Sequence, residues 1–322
     1  MSDTTDVLVV GGGAAGLAAA LILGRSRRSV LVVDGGEPRN APAEGVHNYL
    51  GQEGTAPLDL TRIGRDEVAR YGVHVTAGRI VATSVGPVTA GDPVGFTATL
   101  DAGATVSARR VVVASGAVDV LPDVPGLAEQ WGRGVVHCPF CHGYEVRDSR
   151  IGVLVTTPFG AHQALMWRAL SDRVTVFVTD PMLVSDSDLA GLEASGIAVV
   201  HDRVTSVVSE DGVLRGVTLS DGSTVALDAL AAASTAEARV QGLEGLGIAA
   251  VDQVMGEHRI GSAVPVGPTG ATDVPGVWAA GNVASPMATV IVSAAAGTTA
   301  GAAVHGDLVQ ADLAAALITV PR

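Results

Sequence analysis

The apolar positions of this chain come in short unbroken runs, separated by glycine-rich turns and helical stretches of small residues. Asp6 to Val10 is apolar from its second residue onward. An unbroken run of that length predicts a strand buried on both faces, as in a parallel sheet. Gly11-Gly12-Gly13-Ala14-Ala15-Gly16 follows, then a helical run from Leu17 to Leu23, then a second apolar strand from Ser29 to Val33 that ends in Asp34. Residues 35–60 are rich in glycine and proline and predict loops, and a helix is expected at about 58–71. Strands are expected through Leu100 and from Val106 to Ala114, where the run Val111 to Gly116 closes on small residues.

The pattern then starts again. Leu121-Pro122-Asp123-Val124-Pro125-Gly126 predicts a connector. Arg150 to Val155, Ala161 to Leu170 and Val174 to Val178 predict a second strand–helix–strand unit, completed by strands near 197–201, 204–208, 213–219 and 224–230. Gly276 to Asn282 predicts a strand running into a turn, followed by a helix of small residues that returns to the first unit. The expected fold is α/β, with two Rossmann-like domains of three layers (ββα), the second inserted into the first. The boundaries are 1–117 and 240–322 for the first domain and 118–239 for the insertion.

Composition narrows the function. The hydrophobic share is 48% of 322 residues but aromatics are only 3%, so the cores are made of Ala, Val and Leu. The net charge of -13, with basic residues scattered, argues against nucleic acid or an anionic membrane surface as partner. The start of the chain lacks a basic n-region and runs straight into a strand pattern, so a cytoplasmic protein is expected. Ala284 to Val304 carries no charge, and Gly297 to Gly301 matches GxxxG, which is formally a transmembrane pattern. Its Ala, Ser, Thr and Gly content and the lack of flanking basic residues favour a helix packed inside the fold.

Two motifs carry chemistry. Strand, G-x-G-x-x-G turn, helix, strand and acid stand in the order of a dinucleotide-binding fingerprint. Gly11 makes the tight turn, Gly13 lets a pyrophosphate approach the backbone, Gly16 lets helix and strand pack, and Asp34 accepts from a ribose hydroxyl. The second motif is Cys138-Pro139-Phe140-Cys141-His142-Gly143-Tyr144-Glu145, which holds both cysteines of the chain. Three residues apart, and opening a helix, they are placed to form a redox dithiol whose thiolate a helix N-terminus favours. The same letters match haem attachment through C-x-x-C-H, and a zinc site is a further alternative. The lack of an export signal weighs against haem, and the lack of a second ligand pair weighs against zinc. His142 is the candidate base for an incoming thiol, with Glu145 orienting it if the helix continues. His137 is a weaker candidate, and His162 is expected to be structural.

The combination of Gly11 to Gly16, Asp34, Ala114 to Gly116, the CxxC and Trp278 to Asn282 before a helix resembles the low-molecular-weight thioredoxin reductase superfamily over nearly the whole chain. The resemblance implies FAD, a homodimer, and a cofactor site from Gly11, Gly13, Ala14, Ala15, Gly16, Asp34, Gly35, Arg39, Asn40, His47, Asn48, Ala114, Ser115, Gly116, Gly281, Asn282, Thr289 and Val290. It also implies Cys138 as the outer cysteine and Cys141 as the inner one that hands electrons to FAD.

The chain departs from the reductases in informative places. Their second G-x-G-x-x-A turn, which binds NADPH, is here Thr156-Thr157-Pro158-Phe159-Gly160-Ala161. Proline at the approach position also lacks an N–H. Arginines that would grip a 2′-phosphate are replaced by Thr179-Asp180-Pro181 with Asp186 and Asp188 beyond. His142 stands where the reductases carry an acid, Thr289 where they carry Gln, and Asn282 where they carry Asp. These changes resemble the branch of FAD-dependent dithiol oxidases that close disulfides in natural products such as gliotoxin, holomycin and romidepsin. That resemblance implies a small-molecule dithiol as substrate, oxygen as acceptor and hydrogen peroxide as product. An NADPH-driven reductase and a flavoprotein redox sensor without turnover are the alternatives.

Overall fold

The computed structural model describes residues 4–89 and 92–319. Strand β1 (Thr4–Val10), helix α1 (Ala14–Arg25) and strand β2 (Val30–Asp34) form the expected opening unit. The two strands pair in parallel from Val7↔Val30 to Val10↔Val33. Helix α2 (Pro57–Ala69), with its proline in the first turn, leads into β3 (His74–Ala77), β4 (Ile80–Val85), β5 (Phe96–Leu100) and β6 (Thr105–Val113). The strand order is β3-β2-β1-β6-β5-β4. Period-two alternation explains why β1 is apolar from Val7 onward: Val7 and Val9 face one core with α1, while Leu8 and Val10 face the other.

The chain leaves this sheet through β7 (Ala117–Val120) and α3 (Leu127–Gln130), passes β8 (Val135–Val136), and makes the one-turn helix α4 (Pro139–His142). A second parallel unit follows: β9 (Ile151–Val155), α5 (Gly160–Arg168), β10 (Val174–Val178), α6 (Asp186–Ala194) and β11 (Ala198–Val200). Strands β12 (Val204–Glu210), β13 (Val213–Leu219) and β14 (Thr224–Ala226) form an antiparallel meander before β15 (Ala229–Ala232) returns to the parallel sheet, whose order is β11-β10-β9-β15-β8. The expected single strand at 224–230 is therefore two, because Leu227 and Asp228 turn the chain from the meander into the sheet. Helices α5 and α6 cover one face of this sheet, and the meander covers the other through Leu214, Val217 and Leu154.

Strand β16 (Thr235–Ala238) pairs antiparallel with β7, so the outgoing and returning segments run side by side. They share a sheet with β17 (Val251–Met255) and β18 (His258–Ala263). Strand β19 (Val277–Ala279) then pairs with β6, from Val277↔Val111 to Ala279↔Val113. The last element, α7 (Val290–Thr319), lies against α1. A methyl group at Gly297 would sit 2.0 Å from the Ala15 carbonyl oxygen, and one at Gly301 would sit 2.8 Å from that of Ala19. The GxxxG pair thus serves contact within the fold, and among the described residues no helix is long and apolar enough to cross a membrane.

Candidate active site

The glycine turn after β1 is shaped by three separate constraints. Gly11 has φ +106°, and a methyl group there would lie 2.3 Å from the Ala114 carbonyl oxygen at the end of β6. A methyl group on Gly16 would lie 1.9 Å from the Gly11 carbonyl oxygen. One on Gly13 would meet nothing within 4 Å, so the backbone there faces open space. Gly13 is also the N-cap of α1 and offers no side-chain cap. The first-turn N–H groups of α1 are thus unclaimed by side chains, as a pyrophosphate site requires. Asp34 faces the turn: its Oδ1 accepts from Gly12 and Gly36, each at 3.1 Å, and its Oδ2 is held by Arg65 at 2.6 Å. These residues fit the phosphates and ribose of FAD.

A single cavity of about 1240 Å³ runs from this turn to the dithiol. Gly11, Gly13, Ala14, Ala15, Asp34, Gly35, Arg39, Asn40, His47, Ala114, Ser115, Gly116, Gly281, Asn282, Thr289 and Val290 all line it, as do Cys138, Cys141 and His142. Gly16 lies beneath the wall, where its task is packing. Cys138 and Cys141 are joined by a disulfide, with Cα atoms 5.2 Å apart. Cys138 is the N-cap of α4, and its carbonyl accepts from the N–H groups of Cys141 and His142, each at 3.1 Å. The helix is one turn long, so what it offers a thiolate is local N–H groups more than a macrodipole.

His142 Nε2 is buried and has no hydrogen-bond partner among the described residues. Burial pushes the pKa of this imidazole down, against the opposing pull of Glu145. His137 is likewise pushed down by burial, and its Nδ1 is 3.3 Å from the Ala232 carbonyl. His162 lines the cavity from α5.

Two expected roles are corrected. Glu145 does not hydrogen-bond His142. Helix α4 ends at His142 and the chain continues in turns, so three-residue spacing no longer stacks the two side chains. Its Oε1 lies instead 3.5 Å from His47 Nε2. Asn48 does not line the cavity: its amide donates to the Phe140 carbonyl at 2.5 Å and clips the 45–55 loop to the dithiol helix. Arg39 lines the cavity, with its guanidinium held by Asp119 at 2.6 and 2.9 Å and by the Pro286 carbonyl at 2.7 Å.

The second turn lines the same cavity through Thr156, Thr157 and Phe159 but differs from the first in its N–H groups. Pro158 has no N–H. The Phe159 N–H donates to the Thr157 hydroxyl at 3.3 Å, and the Gly160 N–H donates to the Thr157 carbonyl at 3.0 Å. The Phe159 ring lies edge-on to His258, with centroids 6.3 Å apart. Past β10, Asp180 caps the next turn by accepting from Met182 at 2.9 Å, and Asp188 joins Ser185 in a capping box at the start of α6.

Several residues had no signal in the sequence. Gly12 must lack a side chain, since a methyl group would lie 2.6 Å from the Asp34 carboxyl carbon. Gln163 donates to the His137 carbonyl at 2.7 Å and ties α5 to the dithiol segment. Glu53 holds His47 Nδ1 at 2.7 Å.

Comparison with known proteins agrees with this geometry. The family described as pyridine nucleotide-disulphide oxidoreductase matches residues 5–299. The chain is 32% identical to thioredoxin reductase sirT of Leptosphaeria maculans, covering 96% of each protein. It is 33% identical to thioredoxin reductase tcpT of Claviceps purpurea (strain 20.1), covering 87% of each. Among solved structures it is similar to HlmI, with a TM-score of 0.88 and 39% identity over 98% of this chain and 97% of that one.

Proposed function

Since the chain belongs to the pyridine nucleotide-disulphide oxidoreductase family, a thioredoxin reductase-like flavoprotein with FAD as cofactor, we propose that it oxidises a small-molecule dithiol to a cyclic disulfide, with oxygen as final acceptor. The observation that carries this reading is the contrast between the two turns. The Gly11–Gly16 turn carries glycine at each offset a dinucleotide turn needs, while the Thr156–Ala161 turn carries Pro158, which has no N–H, and folds the Phe159 and Gly160 N–H groups back onto Thr157. The dithiol opens onto the same cavity as the first turn.

The chain's own groups support a disulfide exchange. His142, buried and unpaired at Nε2, takes the proton of the first substrate thiol. The thiolate attacks Sγ of Cys138, the S–S bond to Cys141 breaks, and Cys141 leaves as a thiolate. The second substrate sulfur then attacks the mixed disulfide and expels Cys138. The substrate departs as a cyclic disulfide, and its two electrons remain on the cysteine pair. FAD would be held by Gly11, Gly13, Asp34 and the residues before α7, and would supply a two-electron acceptor between the cysteine pair and oxygen, with hydrogen peroxide as the product. We further propose a homodimer, to be checked by light scattering.

The relatives from Leptosphaeria maculans and Claviceps purpurea carry the name thioredoxin reductase, which favours a rival in which NADPH drives disulfide reduction. Anaerobic mixing separates the two. The expected result is that NADPH leaves the flavin absorbance unchanged, small dithiols bleach it, and readmitted air restores it with peroxide release. Bleaching by micromolar NADPH would overturn the oxidase. Cys138→Ser and Cys141→Ser are each expected to abolish turnover with dithiols, and a fully active single variant would refute the relay.

A further inference from the structure

Closing a disulfide by exchange releases two protons, one from each substrate thiol. In balanced form, the dithiol and the Cys138–Cys141 disulfide give the cyclic disulfide, two cysteine thiolates and two protons. His142 accounts for one. His137 is poorly placed for the other, because the group on its Nδ1 is the Ala232 carbonyl, which cannot carry a proton onward.

His47 is placed differently. It lines the same cavity as Cys138, Cys141 and His142. Its Nδ1 is 2.7 Å from Glu53 Oε1, and its Nε2 is 3.5 Å from Glu145 Oε1. The His47 side chain is 19% exposed while that of Glu53 is 63% exposed, so the pair leads from the cavity to solvent. Glu53 is fixed in turn, since its Oε2 accepts from the Asn48 N–H at 2.8 Å. The Asn48 side chain pins this loop to Phe140, between the two cysteines, from a left-handed backbone with φ 59° that asparagine tolerates. A carboxylate holding one ring nitrogen orients an imidazole for proton transfer at the other. The charged and titratable groups around the pair are Glu53, Glu145, His142 and Glu44.

We propose that His47, held between Glu53 and Glu145, takes the second proton of the dithiol and passes it to solvent through Glu53. This rests on the dithiol-oxidising reading above. The test uses FAD-loaded protein and dithiothreitol as probe, under anaerobic conditions, from pH 6 to pH 10. Two signals are followed: flavin bleaching, and new Cys138 and Cys141 thiols trapped after acid quench. His47→Gln is expected to slow thiol appearance about 10²-fold at pH 7, with each rate normalised to the flavin bound. Above about pH 9, where a free thiol ionises unaided, the rate should recover toward wild type. Glu53→Gln, which keeps a hydrogen-bonding group, should show the same pattern with a smaller loss. A His47→Gln protein that is as fast as wild type at pH 7, or equally slow at pH 7 and pH 9.5, overturns the proposal while the parent reading stands. A wild-type protein whose disulfide no dithiol reduces at any pH overturns both.

Discussion

Asn282 offers a test in which restoring the residue expected in the reductases should do harm. Its Nδ2 lies 2.9 Å from the Ala288 carbonyl, 3.1 Å from that of Ser285 and 3.2 Å from that of Pro286. Three acceptors around one atom identify it as the nitrogen. Two N–H groups among three carbonyls give two full hydrogen bonds and one shared, which knots the turn ahead of α7. An aspartate there keeps the shape but has no donor when ionised. Losing two neutral hydrogen bonds costs about 1 kcal/mol each, and carboxylate oxygens facing carbonyl oxygens add to that, for about 2–3 kcal/mol in all. In a chain of this size that is a fall of about 5 °C in Tm.

The sign of the pH dependence follows. The folded state disfavours the charged form, so the variant's folded pKa lies above its unfolded value of about 3.9. The penalty is small where the acid is protonated and can donate, and it grows as pH rises through the folded pKa. Thermal unfolding followed by flavin fluorescence should show Asn282→Asp well below wild type at pH 8 and close to it at pH 4. Equal Tm at pH 8, or a deficit independent of pH, would refute the assignment of Asn282 as a donor.

Other predictions rest on other contacts. Gly13→Ala should fold like wild type but bind FAD at least about tenfold more weakly, since its methyl group enters open space meant for a ligand. Gly16→Ala should instead lower Tm, since its methyl group strikes the Gly11 carbonyl; fluorescence titration and calorimetry separate the two. Burial lowers the pKa of both His137 and His142 below 6.5, so the unfolded chain binds more protons as pH falls through that value. Stability should therefore drop below about pH 6.5, and denaturant titrations at pH 5 and pH 7.5 should show a smaller difference for His137→Gln. Thr156→Gly with Pro158→Gly should fail to confer NADPH binding in calorimetric titration, because Thr157 still holds the Phe159 and Gly160 N–H groups.

Much of the fold could be read in advance because its signals are local. Buried parallel strands are unbroken apolar runs, and a phosphate turn needs glycine at fixed offsets, as at Gly11, Gly13 and Gly16. The dithiol announced itself because both cysteines of the chain stand three apart. What could not be read depends on which residues meet across the fold. No spacing rule connects His47 to Glu53 and Glu145, or Arg39 to Asp119, 80 residues away. Glu145 shows why a spacing argument fails at a terminus: three residues make neighbours only while the helix lasts, and α4 stops at His142.

The same contrast between local and long-range signals bears on the direction of electron flow. A proline in the second turn removes one N–H, and such a loss can be tolerated if the neighbouring groups remain free. Here they do not, since Thr157 binds the next two from within the turn. The acids past β10 are engaged locally too: the Asp180 carboxylate accepts from the Met182 N–H and that of Asp188 from the Ser185 N–H. Thr156, Thr157 and Phe159 line the same cavity as Cys138, Cys141 and His142. On the oxidase reading proposed above, reductant enters at the dithiol and not at this turn. A buried imidazole with a free nitrogen suits that entry better than a carboxylate would, because a neutral base accepts a thiol proton without first placing a negative charge beside the emerging thiolate.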